Sequence, residues 1–351
     1  MELTVHKVDP NGDTLLILRN PNAPFAGDAT VWPNALPKYR TEKLRRNERE
    51  LKLLAQAQQS TPNSLREVHF HLSSKHLTLT SDYFRGLMAR NWKEANPSQD
   101  FAYTVTAEDW DEAALLMVMN IIHCQTSEIS QNVDSEMVAK IAVIIDYYQC
   151  RKAVSFYVET WMKNFDVKEI SSCGYGRKLL LRLFISHFFL NADDFHRSTQ
   201  IIIRESRGPI HSLGLLPQNI IDALEDERKR QVSGIITGLH RIIEQPQEEP
   251  QEDSETCSSE SSSGSIDVLV NAMKAMNLYE PRPAPPFTGY SFAAIEKGLF
   301  KTQRPKDEPA SRSKRKHNLG RCEFGWRIRC LFPDRMPGLK LERFIDMSKK
   351  T

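Results

Sequence analysis

The sequence predicts an α+β domain, then an all-helical region, then a disordered C-terminal part. Three features carry that expectation. Two short stretches in the N-terminal third, Thr14–Leu18 and Val68–Leu72, are apolar or alternate strictly between apolar and polar, the signature of strands. Apolar residues at helical spacing then run from Asp109 to about Gln245. Beyond that point a Pro/Gln/Glu/Ser-rich stretch leads into a strongly basic end.

The elements follow in order. TLLIL (14–18) is flanked by Asn11-Gly12 and Asn20-Pro21 and reads as a buried strand. Pro21 to Pro37 is a Pro/Asn-rich loop. Tyr39 to Gln59 is highly charged, with only Leu44, Leu51 and Leu54 as a thin stripe, which predicts an exposed helix on an insertion. Val68, Phe70 and Leu72 alternate with Glu67, His69 and His71, as in a half-buried strand. Ser81 can cap a helix carrying Tyr83, Phe84, Leu87 and Met88. Phe101–Val105 is a third strand candidate. Asp109 followed by Glu112 resembles a capping box before Leu115, Leu116, Val118, Met119 and Ile122. Asp134 opens a helix with Met137, Ile141, Ile144, Ile145 and Tyr148 on one face, and a further helix holds Val154, Phe156, Tyr157 and Trp161.

Residues 166–245 read as helical. Leu179–Leu190 is almost entirely apolar, hence a buried helix, and Pro217 suits the first turn of a long one striped by Ile220, Leu224, Val232, Ile235, Ile236, Leu239 and Ile243. Residues 246–264 lack the apolar content to offset chain entropy and read as an acidic disordered linker. Residues 265–300 hold one short helix, capped by Ser265, and the Pro-rich Pro281–Phe287. Residues 301–351 form a basic tail with 15 Lys/Arg against 6 Asp/Glu.

Bulk properties exclude several classes. The 351 residues carry a net charge of only +2, which gives no electrostatic case for nucleic acid across the whole chain. Six cysteines are scattered without a CxxC pair, and MELTVHKVDPNGD has no apolar signal core. An intracellular, reducing location in nucleus and/or cytoplasm is expected. Leu179–Leu190 is too short to span a bilayer. There is no GxSxG, P-loop, HExxH or GxGxxG, so no enzyme and no cofactor are expected.

The ordered motifs carry a family resemblance. Phe70 closes the alternating strand, Leu77 sits at the apolar position of the next helix, and Ser81, Tyr83, Phe84 and Leu87 match an S-x-Y-F-x-x-L run. Asp13 precedes the first strand, and Asp146-Tyr147-Tyr148 resembles an A-D-x-Y element. Together these resemble a BTB/POZ domain over residues 12–165, with an insertion at about 20–65. SSKHLTL, NWKE, IIHCQ and KIAVIIDYYQC in this order look like the fungal BTB-domain proteins. Two departures stand out. Roughly 45 residues separate strands that normally form a hairpin, and Ser73 stands where many animal members have a histidine.

The resemblance implies a non-enzymatic, oligomerising adaptor that links a cullin ubiquitin-ligase scaffold to substrates. The expected partners are proteins, among them a second copy of the chain and a cullin; membrane and nucleic acid are not expected. Cullin-contacting members carry a φ-x-E motif after the second helix, and Trp92-Lys93-Glu94 matches it. There an exposed aromatic would seat in an apolar groove and the carboxylate would set register. The competing reading packs Trp92 against its own domain. The alternative function is a nuclear transcription- or chromatin-associated regulator, with Lys314, Arg315 and Lys316 as the import signal.

Other clusters point more weakly. His69 and His71 share a strand face without a third ligand, and His317, Cys322 and Cys330 fit no standard zinc spacing, so no metal is expected. His123 and Cys124 are adjacent on a helix and point apart, which argues against a catalytic dyad. Ile266-Asp-Val-Leu269 resembles a SUMO-interacting strand, against a helical reading with Leu269, Met273 and Met276 on one face.

Overall fold

A computed structural model describes residues 3–26, 66–89, 101–164, 174–245, 260–301, 323–333 and 336–345. It is a mixed α/β protein, mostly helical, with one four-stranded sheet. The chain divides into two compact units, Met1–Glu169 and Ile170–Thr351. The insertion helix expected at Tyr39–Gln59, most of the acidic linker, and Lys314, Arg315 and Lys316 lie outside the described residues.

In the first unit the sheet order is β1-β3-β2-β4, with β1 Thr4–Lys7, β2 Thr14–Arg19, β3 Glu67–Leu72 and β4 Tyr103–Glu108. β2 pairs antiparallel with β3 over six positions, although 47 residues lie between them. The two-residue period fixes the register. Leu16 and Leu18 of β2 stand opposite Phe70 and Val68 of β3, and all four are fully buried. A slip by one residue would put these side chains into water.

β1 was not expected. Its four residues have no apolar alternation, and it exists through parallel pairing with β3. β4 begins two residues later than expected and ends three later, because its register is set by β2 from Thr14↔Tyr103 to Arg19↔Glu108. Phe101 instead lays its ring against His71, with centroids 4.8 Å apart.

Helices α1 (Ser74–Thr80) and α2 (Asp82–Ala89) follow β3 directly and bury Leu77, Phe84, Leu87 and Met88. Ser81 does two things. Its Oγ accepts from the Phe84 amide at 3.1 Å, capping α2, and donates to the Tyr148 carbonyl at 2.5 Å. After β4 come α3 (Glu112–Ile122), α4 (Ser135–Tyr147) and α5 (Arg151–Asn164), which pack on one another. Asp134 caps α4 through the Met137 amide at 2.8 Å. The cap of α3 is Asp111, not Asp109. Asp111 is extended and its carboxylate reaches the Ala114 amide at 3.0 Å. Asp109 has a left-handed φ of 65° and accepts instead from Asn20 at 2.6 Å.

The second unit is helical: α6 (Arg177–Phe188), α7 (Ala192–Glu205), α8 (Gln218–Glu244), α9 (Glu260–Ala275), α10 (Phe292–Lys301) and α11 (Glu323–Arg329). α7 packs against α6, α8 and α10. The long apolar stripe of α8 is broken by the fully buried Arg228. Arg228 donates to the Pro286 carbonyl at 2.6 Å, and His240 lies 2.9 Å from the Leu278 carbonyl. Arg228 thereby holds the Pro-rich segment onto the helix, and His240 holds the turn just before it.

Three expectations fail here. α9 begins at Glu260, inside the stretch read as linker, so Ser265 lies within the helix and not at its start. Residues 265–300 contain a second helix, α10, capped by Ser291. The C-terminal part is not uniformly a disordered tail: Ile328, Phe332, Met336 and Leu341 are buried in this unit. A basic composition averaged over fifty residues hid a sparse apolar pattern that finds a core only in three dimensions.

Ser81→Ala should cost about 2–4 kcal/mol, combining a lost helix cap with an orphaned buried carbonyl. Gly12→Ala should cost about 1–3 kcal/mol or more, because an added Cβ would meet the Leu72 carbonyl oxygen at 2.4 Å. Urea denaturation of the full chain measures both.

Candidate interaction surface

The first unit is organised around the start of α1, whose amides are capped from a distance. Ser73, at the N-cap, supplies no side-chain cap. Asp13, just before β2, takes that role: its carboxylate accepts from the Ser74 amide at 2.7 Å and the Ser74 hydroxyl at 2.6 Å. Burial would raise this carboxyl, but the bonds from Ser74 and Thr14 outweigh it and hold Asp13 below its ordinary value of 3.8. The Ser73 amide donates to His123 Nε2 at 2.9 Å. Since Nε2 accepts, Nδ1 carries the proton and donates to the Met119 carbonyl at 2.8 Å. Ser73 thus contributes its backbone amide here rather than its side chain.

Both nitrogens of His123 are committed to backbone partners, so neither is free to face the adjacent Cys124. Burial, with the nearby His76, pushes His123 below its ordinary 6.5 against hydrogen bonds that raise it. Cys150 is buried, and that pushes its thiol up to about 12. Among the described residues, no group of three or more His, Cys, Asp or Glu side chains could hold a metal ion. His69 lies 3.8 Å from Glu67 on the strand, and His71 meets Phe101. His317 and Cys322 lie outside the described residues. No described helix is long and apolar enough to cross a membrane.

An aromatic cluster joins the helices. Tyr148 stacks on Phe84 with centroids 4.9 Å apart, and Tyr83 and Trp110 both meet Tyr147, at 5.2 and 5.4 Å. Tyr148 is buried, which raises its hydroxyl well above the ordinary value despite a hydrogen bond with Trp110. Tyr147 is the solvent-facing member, 51% exposed. Other large apolar side chains also face outward: Leu79 on α1 (76%), Phe156 on α5 (71%) and Val5 on the β1 edge (39%).

Trp92 and Glu94 lie outside the described residues, between α2 and β4. The surfaces that the sequence reading missed had a legible signal. Leu79 sits two positions after the buried Leu77, and Phe156 two after the buried Val154. On a helix that is about 200° around, away from the core. The Ile266–Leu269 stretch is helical within α9 with Leu269 buried, so it presents no strand for a SUMO-type contact. No protein-family model matches this chain, and no curated protein does either.

The histidine shifts set an acid sensitivity. His123 and His71 both have lowered values, so the unfolded chain takes up protons first. Their contribution is intact above the ordinary 6.5 and is lost as pH falls from there through the lowered values. The urea midpoint should therefore drop between neutral and mildly acidic pH, and His123→Gln should flatten that drop. In site-resolved thiol alkylation of the native chain, the exposed Cys124 and Cys330 should react while Cys150 stays silent until unfolding.

Proposed function

We propose that the chain is a non-enzymatic protein-interaction protein whose N-terminal unit is a BTB/POZ-type domain that self-associates and bridges a cullin scaffold to substrates. The observation that supports this best is the element order around β2 and β3. The two strands pair antiparallel across the 47-residue separation, two short helices follow at once, and β4 and a helix pair come next. That is the order which the motifs from Phe70 to Leu87 imply. Outward-facing Leu79, Val5 and Tyr147 supply apolar surface for contacts with other chains.

The cullin contact is assigned to Trp92 and Glu94. Trp92→Ala combined with Glu94→Ala should abolish co-purification of a cullin while the circular dichroism of the chain is unchanged. Absence of cullin binding to the parent chain at micromolar concentration would remove the bridging role and leave self-association as the function. The basic cluster Lys314, Arg315 and Lys316 is assigned to nuclear import of the same protein. Its deletion should shift a tagged chain toward the cytoplasm.

A further inference from the structure

The second unit contains a cleft of about 760 Å³ that an adaptor role does not require. One wall is α7, which contributes His196, Arg197, Gln200 and Arg204. α10 adds Glu296 and Phe300, and α11 with the residues after it adds Arg329, Phe332 and Met336. The size falls within the range of small-ligand sites, about 300–1,000 Å³.

Part of the wall is fixed in place. Gln200 Nε2 donates to the Met336 carbonyl at 2.7 Å, and His196 Nδ1 lies 3.2 Å from the Leu339 carbonyl. A Cβ on Gly338 would stand 2.6 Å from the His196 ring, so only glycine lets the chain pass this close. Arg204 is also committed, paired with Glu296 and lying 5.4 Å over the Phe292 ring.

Arg197 and Arg329 are different. Both are exposed and line the same cleft, and neither meets a carboxylate among the described residues. Among the described residues the lining therefore carries three arginines against one glutamate, beside the apolar side chains of Ile201, Phe300, Phe332 and Met336. A guanidinium's donor fork fits the oxygens of a carboxylate or phosphate. The apolar side chains suit a hydrocarbon body and offer nothing to a bare inorganic ion.

We propose that this cleft binds a small aromatic oxyanion, a carboxylate or phosphate monoester. Arg197 and Arg329 meet the charged head, and Phe300, Phe332 and Met336 hold the ring. The site is independent of the BTB/POZ reading, because every residue in it belongs to the second unit.

Calorimetric titration of the full chain with phenyl phosphate and with phenylacetate tests this, with inorganic phosphate and benzyl alcohol as probes of head and body alone. One of the aromatic anions should bind at a single site, at least roughly tenfold tighter than either half, and more weakly as salt rises. Which of the two binds more tightly identifies the head group. Arg197→Gln with Arg329→Gln should weaken binding roughly tenfold or more with an unchanged circular dichroism spectrum, since both side chains are on the surface. Phe300→Leu should weaken it as well, and the Arg-to-Lys pair should retain part of it. The proposal is overturned if neither aromatic anion binds in the low millimolar range, or if the double Gln variant binds like the parent. It is equally overturned if an oligoglutamate peptide binds more tightly than both, which would make the cleft a peptide site. Trp92→Ala with Glu94→Ala should leave the titration unchanged, so this result and the cullin result stand apart.

Discussion

The start of helix α1 has no cap of its own, and the first unit is built around supplying one. A helix leaves its first amides without partners, and burying them unpaired costs about 1–3 kcal/mol each. Asp13 reaches the Ser74 amide from the strand side, and His123 takes the Ser73 amide from the end of α3. One junction therefore ties together three parts of the chain that are 50 and 61 residues apart in sequence. α1 cannot move off the sheet without orphaning both amides, and this in turn holds Ser81 where it can cap α2 and bond to the end of α4. Gly12 belongs to the same junction, since it lets the turn before Asp13 lie against the end of β3.

Much of this was legible in the sequence, though unevenly. Strand β3 announced itself because burial of one face forces a period of two, and β2 because a short apolar run stands between turn formers. α4 and α8 did so because their stripes are long and their starts carry Asp134 and Pro217. What the sequence concealed is tertiary. Asp13 was singled out through a family resemblance, but its capping of α1 was not foreseen, because no local pattern links residues so far apart. β1 contributes one apolar residue and exists only because β3 offers it an edge. Asp109 looked a better cap than Asp111, since the spacing to Glu112 fits a capping box; backbone geometry decided otherwise. The cleft in the second unit combines residues from three helices and a trailing segment, and its arginines read in sequence as ordinary surface charge.

The second unit solves a different problem. Its irregular stretches bury scattered apolar residues, among them Leu278, Phe287, Met336 and Leu341, while their backbone carbonyls still need partners. Buried or half-buried polar side chains meet this need by facing those carbonyls as donors: Arg228 for the Pro-rich segment, His240 for the turn before it, Gln200 and His196 for the C-terminal stretch. Arg228 and His240 interrupt a face of α8 that is otherwise apolar, and α7 buries Asp194, Ser198 and Thr199 as well. A hydropathy reading therefore scores them as blemishes, although they explain why residues near the C-terminus join the core.

The pairing of β2 with β3 has a consequence for biogenesis. By chain entropy alone, closing a connection of this length costs only about 2 kcal/mol more than closing a turn of about four residues, so the separation weighs little on the finished protein. It weighs more on a nascent chain. β1 and β2 both hydrogen-bond to β3, so neither has its partner until β3 leaves the ribosome. At roughly 5–20 residues per second, that leaves the TLLIL strand waiting for several seconds with an apolar face and two bare edges. β4 reaches β2 later still. The sheet thus forms as one late event rather than growing strand by strand, and early-emerging TLLIL is the segment most in need of shielding by chaperones during synthesis.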